Sequence, residues 1–203
     1  MSYQYDLFVS YRRNPETRTW IEEHFVPLLE LRVGLELDRS VSIFIDDNIE
    51  TGRSWPLELG NALGRSRALI VLWSGNYLAS RWCATELSQM LARERETGAR
   101  TAGRPHGLVI PAFIHDGDKF PADLGHIQRF EIQKSFNVRM ARNSPRAEEL
   151  DAVLSLHAPA IASAIEHAPE WKASWPTDAG VEFFDQFYQD NEPTQNVVPR
   201  FAA

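Results

Sequence analysis

The sequence predicts an α/β fold in which helices cover both faces of a parallel β-sheet. Short segments rich in β-branched and aromatic residues alternate along the chain with longer segments that have the apolar spacing of amphipathic helices. A chain that alternates in this way builds a parallel sheet, because each helix carries it back across one face of the sheet. The 203 residues suit one domain of ordinary size, and 43% of them are hydrophobic, which is enough to form a core.

Five segments have the composition of buried strands. The clearest is ALIVLW at 68–73, since a continuous apolar run is typical of a strand covered on both faces. Pro111 lies inside the fourth segment and has to be accommodated there, because it cannot donate to a ladder. The predicted strands, in chain order, are 5–11, 41–45, 68–73, 107–114 and 130–132.

Capping residues predict where four helices begin. Asn14 and Ser144 are each followed by a proline, a pair favoured at helix starts, and Ser54 and Ser80 precede two further apolar patterns. Pro27 interrupts the pattern of the first helix and is expected to kink or end it. The predicted order is therefore β-α-β-α-β-α-β-loop-β-α.

Polar and aromatic residues follow three of the predicted strands. The first strand ends in Ser10-Tyr11-Arg12-Arg13, the second runs into 46–55, and the third runs into 74–82. Parallel strands end at one edge of their sheet, and ligands bind in the crevice outside those ends. We therefore expect these three segments to share one rim.

Glu86 is the most informative single residue. It lies inside an apolar arc of its helix, where a carboxylate is costly unless it is paired, hydrogen-bonded or functional. One interpretation is a functional carboxylate held against an aromatic side chain at the rim. The other is a structural glutamate paired with a cation such as Arg12 or Arg81. The pattern alone favours this second, structural interpretation. The arc consists of Trp82, Cys83, Leu87, Met90 and Leu91.

Two further features leave alternatives open. Arg12 and Arg13 suit phosphate recognition at the mouth of the crevice, or else form a solvated turn. The loop at 46–55 is either a gate over the site or an ordinary polar connection, and Trp55 within it favours stacking on a ligand or partner.

Composition excludes several classes of function. The 28 acidic and 21 basic residues give a net charge of −7, which disfavours direct binding to nucleic acid. The six histidines lack zinc-type spacing and the cysteine is single, so no metal site and no intramolecular disulfide are predicted. Phosphate-binding-loop, dinucleotide and nucleophile-elbow motifs are missing. Without an apolar run of ~18 residues or a secretory signal, we expect a cytoplasmic protein with no membrane contact.

The composition changes at about Pro169. Six aromatic residues lie within 18 positions, among acidic groups, which is more than a disordered tail requires. We therefore divide the chain into a domain at 1–168 and a C-terminal extension at 169–203. The extension is expected to dock on its own domain or on a partner.

Three motifs resemble those of Toll/interleukin-1 receptor (TIR) domains. They are YDLFVSYRR at 5–13, FIDD and ETG within 44–52, and SRWCATEL at 80–87, in the order of that family and near its usual spacing. The resemblance covers about 5–167 and implies a flavodoxin-like fold with a five-stranded parallel sheet.

The resemblance also implies an activity. TIR domains include interaction modules and enzymes that cleave NAD+ at the nicotinamide–ribose bond, and Glu86 matches the essential glutamate of the enzymes. The chain thus resembles a bacterial defence NAD+ glycohydrolase or ADP-ribosyl cyclase, with NAD+ as substrate and no cofactor. The implied substrate-binding residues are Ser10, Tyr11, Arg12, Arg13, Asp46, Glu50, Gly52, Trp55 and Trp82.

Two other functions stay open at this point. One is a non-catalytic adaptor that signals through TIR–TIR contacts, and the other is an N-glycosidase acting on a different nucleotide. Because many enzymes of this family act as assemblies, we expect self-association, and a separately encoded sensor or effector is a possible partner.

Overall fold

A computed structural model describes residues 2–45 and 55–175, with the side chains at 55–58 left outside that description. Asp46, Glu50 and Gly52 lie outside the described residues, as does the extension from residue 176 onwards. Our expectations for those positions therefore stay predictions.

Five parallel strands form one sheet in the order β2-β1-β3-β4-β5. This is the strand order of flavodoxin-like folds, and it confirms the predicted fold class. The strands are β1 (Tyr5–Tyr11), β2 (Ile43–Ile45), β3 (Ser66–Trp73), β4 (Val109–Phe113) and β5 (Phe130–Glu131).

Helices begin where the capping residues predict. The side chains of Asn14, Ser80 and Ser144 each accept a hydrogen bond from a backbone N–H in the first turn that follows. The helices are α1 (Pro15–Trp20), α2 (Val26–Leu37), α3 (Trp55–Gly64), α4 (Arg81–Thr97) and α5 (Pro145–Glu166).

The interruption expected at Pro27 takes the form of a π-helical turn. Residues Ile21–Phe25 form this turn between α1 and α2, and the Val26 N–H bonds to the Ile21 carbonyl five residues back. Pro27 has no N–H to continue the regular pattern, so the wider turn absorbs the mismatch and the helix goes on.

Three strands, β2, β4 and β5, are shorter than predicted. At β2, the N–H of Ser42 is taken by the Asp6 carboxylate, so the regular ladder starts at Ile43. In β4, the Phe113 carbonyl faces β5, because it accepts from the Ile132 N–H. Backbone groups alternate along a strand, so the nitrogen of Pro111 also faces the side of β5. Because β5 pairs only with residues 112 and 113, the N–H that Pro111 lacks would have had no partner in the ladder, and no ladder hydrogen bond is lost.

The sheet separates two apolar cores. Leu7, Val9 and Tyr11 of β1 face the core that contains residues of α2 and α5. Phe8 faces the other core, which contains residues of α3 and α4. Because side chains alternate along a strand, Ser10 points to the same face as Phe8, toward α4.

The first residues of the extension pack against the domain near the end of α4. Trp171 donates through Nε1 to the Gly64 carbonyl (3.2 Å), and Trp175 donates to the Glu96 carboxylate (3.3 Å). The Arg93 guanidinium carbon lies 4.2 Å from the centre of the Trp175 ring, and burial lowers the pKa of Arg93 to about 10. Arg93 therefore stays cationic at neutral pH and can make a cation–π contact.

None of the described helices is long and apolar enough to cross a bilayer.

Candidate functional site

The candidate site lies where the chain leaves the neighbouring strands β1 and β3 in different directions. After β1 the chain runs to α1 and α2 on one face of the sheet, and after β3 it runs to α4 on the other face. In this strand order, such a divergence opens a crevice at the carboxyl edge of the sheet. The predicted rim segments 10–13 and 74–82 meet at this crevice.

Glu86 lies in the second turn of α4 and is 5% exposed. Its carboxylate accepts a hydrogen bond from the hydroxyl of Ser10, which is itself 1% exposed. A hydroxyl partner of this kind offsets part of the cost of taking a carboxylate out of water. The structure thus places a buried acidic group directly below the end of β1.

Tyr77 completes the cluster and was missed in the sequence analysis. Its hydroxyl lies 2.5 Å from Ser10 Oγ, and its side chain is fully buried, with its ring centre 5.4 Å from that of Trp73. Burial raises the pKa of Tyr77 well above its usual range, and interactions with Cys83 and Glu86 add to this effect. A tyrosine in the short polar segment SGNYLAS after an apolar strand was the available signal.

A second contact fastens α4 to the end of β1. The Cys83 thiol donates to the Tyr11 carbonyl at 3.3 Å, and both residues are buried. The Tyr11 side chain belongs to the core on the opposite face from Ser10. Cys83 is thus a core residue, as its helix position predicts.

The opposite end of α4 is held by charged side chains. Glu94 accepts hydrogen bonds from the Leu108 and Val109 N–H groups and pairs with Arg100, while Arg93 donates to the Ser66 and Leu63 carbonyls. These contacts join α4 to the start of β4 and to the start of β3. With α4 fixed at both ends, Glu86 is carried on a rigid element.

The remaining rim residues are more exposed. Arg12 and Arg13 lie on the surface after β1, and Arg12 donates to the Asn76 carbonyl across the crevice at 3.4 Å. Trp82 is half-buried and packs against the core on the α4 face. Trp55 is the first residue of α3, and its side chain lies outside the described part of the structure. The structure therefore brings together Ser10 of β1 and Glu86 of α4, but it places the side chain of Tyr11, which was also predicted to bind substrate, in the core on the opposite face of the sheet. The residues of the loop at 46–55 stay predictions.

Among the residues that the structure describes, no three histidine, cysteine, aspartate or glutamate side chains are grouped so that they could hold a metal ion.

Comparison with known proteins identifies relatives over most of the folded part. A family model described as "TIR domain" matches residues 7–144. Disease resistance protein RPV1 of Vitis rotundifolia is 29% identical over 127 residues, which cover 63% of this chain and 8% of that protein. Protein SUPPRESSOR OF npr1-1, CONSTITUTIVE 1 of Arabidopsis thaliana is 33% identical over 114 residues, or 56% of this chain and 7% of that protein. The chain thus spans less than a tenth of the length of these curated relatives.

Among solved structures, the TIR domain of the Toll-related receptor TRR-2 from Hydra magnipapillata is similar to this chain. The TM-score is 0.46 at 21% sequence identity, with 63% of this chain and 84% of that chain covered.

Proposed function

The chain belongs to the TIR domain family, and from this premise we propose that it cleaves NAD+ at the nicotinamide–ribose bond, with Glu86 as the catalytic residue. The observation that supports the proposal is the buried Glu86 carboxylate, held by Ser10 at the carboxyl edge of the sheet. A carboxylate kept out of water at a ligand crevice is suited to stabilising positive charge.

The reaction needs such a group. When the bond between the ribose C1′ and the nicotinamide nitrogen breaks, both electrons go to the pyridinium nitrogen and nicotinamide leaves neutral. The ribose ring then carries positive charge, which a nearby carboxylate stabilises more strongly in a dry site than in water. Because the pyridinium nitrogen becomes neutral when it takes up the electron pair, no general acid has to protonate the departing nicotinamide.

The fate of the ribosyl cation decides the product. Water adding at C1′ releases a proton and gives ADP-ribose, so the enzyme acts as a glycohydrolase. A nucleophile within the ADP-ribose part adding instead closes a ring, so the enzyme acts as a cyclase. Both outcomes use the same first step at Glu86.

The other rim residues are proposed to bind the substrate. Arg12 and Arg13 on the surface after β1 suit the pyrophosphate, since guanidinium groups bind phosphate oxygens through paired hydrogen bonds. Trp82 offers an aromatic face beside Glu86, one turn earlier on α4. Asp46, Glu50, Gly52 and Trp55 are proposed to close the site from the loop at 46–55.

We further propose a role in defence signalling in the bacterial cytoplasm. Support for the defence part of this proposal comes from the names of the relatives, several of which are disease resistance proteins of plants. Self-association through TIR–TIR contacts and a separately encoded sensor or effector belong to the same proposal.

The proposal is tested by incubating the purified chain with NAD+ and resolving the products by chromatography and mass. Wild type is compared with Glu86→Gln and with Glu149→Gln, an exposed carboxylate on α5 that serves as the matched control. We expect wild type and the control to release nicotinamide, and Glu86→Gln to lose the activity. The same assay with other nucleotides tests the N-glycosidase alternative, and NAD+ cleavage that survives in Glu86→Gln contradicts the assignment of the catalytic residue.

A further inference from the structure

We propose that Tyr77 is a positioning residue for Glu86 and acts on it through Ser10, as the first member of a directed hydrogen-bond chain. The inference deepens the proposed NAD+ cleavage and rests on it. It also assigns Ser10 a contact with the Glu86 carboxylate, whereas the sequence analysis expected Ser10 to contact the substrate itself.

The direction of the chain follows from counting protons. The Ser10 hydroxyl has a single hydrogen, and it donates this hydrogen to Glu86 Oε2. The Ser10 oxygen is then left as an acceptor, and the Tyr77 hydroxyl at 2.5 Å is the donor that reaches it. The raised pKa of Tyr77 keeps the phenol protonated, so it remains a donor throughout the neutral range.

The position of Tyr77 is tied to the start of α4. Its N–H bonds to the Ser74 carbonyl, and its carbonyl accepts from the N–H of Ser80, the capping residue of α4. The turn that begins the helix therefore also places the phenol over Ser10. Glu86 is reached from two sides, by its own helix and by the hydroxyl chain from β1.

Because Tyr77 is completely buried, its hydroxyl can be distinguished from its ring: the hydroxyl has the positioning role, whereas the ring merely fills space. A phenylalanine would occupy the same apolar volume beside Trp73 and would bury no hydroxyl at all. The tyrosine hydroxyl donates into the chain, where one hydrogen bond strengthens the next by polarising it. The effect of the hydroxyl is therefore expected at the carboxylate, more than in the packing around the ring.

The experiment compares Tyr77→Phe and Ser10→Ala with the wild-type chain. Tyr5→Phe is the control, because Tyr5 lies at the opposite end of β1 and its hydroxyl accepts from the Gln4 side chain. Two readouts are used: kcat and KM for NAD+, and the ¹³C NMR resonance of the Glu86 side-chain carboxyl, assigned by its loss in Glu86→Gln.

For Tyr77→Phe we expect kcat to fall about tenfold while KM stays within about twofold, because the lost interaction acts on charge that develops in the transition state. Ser10→Ala removes the direct donor and is expected to lower kcat by about 10²-fold. The Glu86 resonance is expected to shift in both variants and to stay in place in Tyr5→Phe.

An unmoved Glu86 resonance in Tyr77→Phe, or a kcat equal to that of wild type, overturns the inference. If wild type releases no nicotinamide at any concentration, the proposed function fails. The NMR readout is independent of activity, so it still decides whether Tyr77 acts on Glu86 through Ser10.

Discussion

Ser10 and Glu86 are separated by 76 positions in the chain, yet the Ser10 hydroxyl donates directly to the Glu86 carboxylate in the interior of the domain. The contact joins a central strand to the helix that crosses it on the α4 face. Its strength is set by burial, because both side chains are almost completely removed from water.

Removing either partner of this contact should destabilise the domain. Removing both should lower the free energy of unfolding by less than the two single changes added together. We expect Ser10→Ala to lower the free energy of unfolding by about 1–3 kcal/mol, since it leaves a buried acceptor without this donor. A double-mutant cycle with Glu86→Ala, which removes the acceptor altogether, followed by urea denaturation, should give a coupling energy of about 1–2 kcal/mol. Additivity within about 0.3 kcal/mol would show that the two side chains do not interact.

Acid stability should depend on Asp6, at the start of β1. Burial alone would raise the pKa of this carboxyl, but hydrogen bonds from Arg39 and Ser42 and the charges of Arg39 and Arg67 together lower it. The stabilisation is therefore complete above the unfolded-state pKa of 3.8 and is lost as the pH falls through the lower folded-state pKa. We expect Asp6→Asn to lower the free energy of unfolding at pH 7 by about 2 kcal/mol.

The acid prediction is checked by denaturation of wild type and Asp6→Asn at several pH values. The difference in the free energy of unfolding between the two proteins should shrink below about pH 4 and stay constant between pH 5 and 8. Equal stability of the two proteins at pH 7 would rule out the contribution of this carboxylate.

The start of the extension should contribute stability through Trp175 more than through its ion pair. Trp175 is 6% exposed and lies over Arg93, whereas the Lys172–Glu96 pair is solvent-accessible on both sides. We expect Trp175→Ala to cost about 3–5 kcal/mol, by analogy with other large-to-small changes at buried aromatics. Lys172→Ala should cost less than about 1 kcal/mol. If thermal denaturation shows Lys172→Ala to be more destabilising than Trp175→Ala, the packing described for this segment is contradicted.

Deletion of residues 169–203 should change the oligomeric state, the activity, or both. The segment at 169–175 covers part of α4 and the neighbouring N-terminal residue Tyr3, whose hydroxyl donates to the Pro169 carbonyl at 2.8 Å. Taking it away exposes this surface to a second copy of the chain. Analytical ultracentrifugation of both forms checks the expectation, and identical sedimentation together with identical activity would exclude a role for the extension in assembly.

Much of the fold is predictable because its signals are local. Asn14, Ser80 and Ser144 are short polar side chains placed just before apolar patterns, and each caps its helix as expected. The strand order is not local, but the alternation of strands and helices restricts it to a few parallel arrangements. The start of β2 was misplaced, because the Asp6 side chain competes for the N–H of Ser42 and sequence patterns do not show such a tertiary contact.

The candidate site is less predictable for the same physical reason. The position of Glu86 in an apolar arc predicts its burial, but its Ser10 partner comes from a distant strand that periodicity cannot connect to it. Tyr77 follows Ser74, Gly75 and Asn76, a composition that is typical of an exposed turn. Its complete burial results from how that turn folds back over β1 at the start of α4, which only the three-dimensional arrangement shows.

The most direct test of the proposed activity is the initial rate of nicotinamide release from NAD+, measured for wild type and Glu86→Gln over a series of protein concentrations with and without a crowding agent. We expect release by wild type, with a specific rate that rises with concentration as the chain self-associates, and no release by Glu86→Gln at any concentration. Equal rates of release by the two proteins would contradict the assignment of Glu86 as the catalytic residue. No release by wild type under any of these conditions would contradict the assignment of this chain as an NAD+-cleaving enzyme and would favour an adaptor.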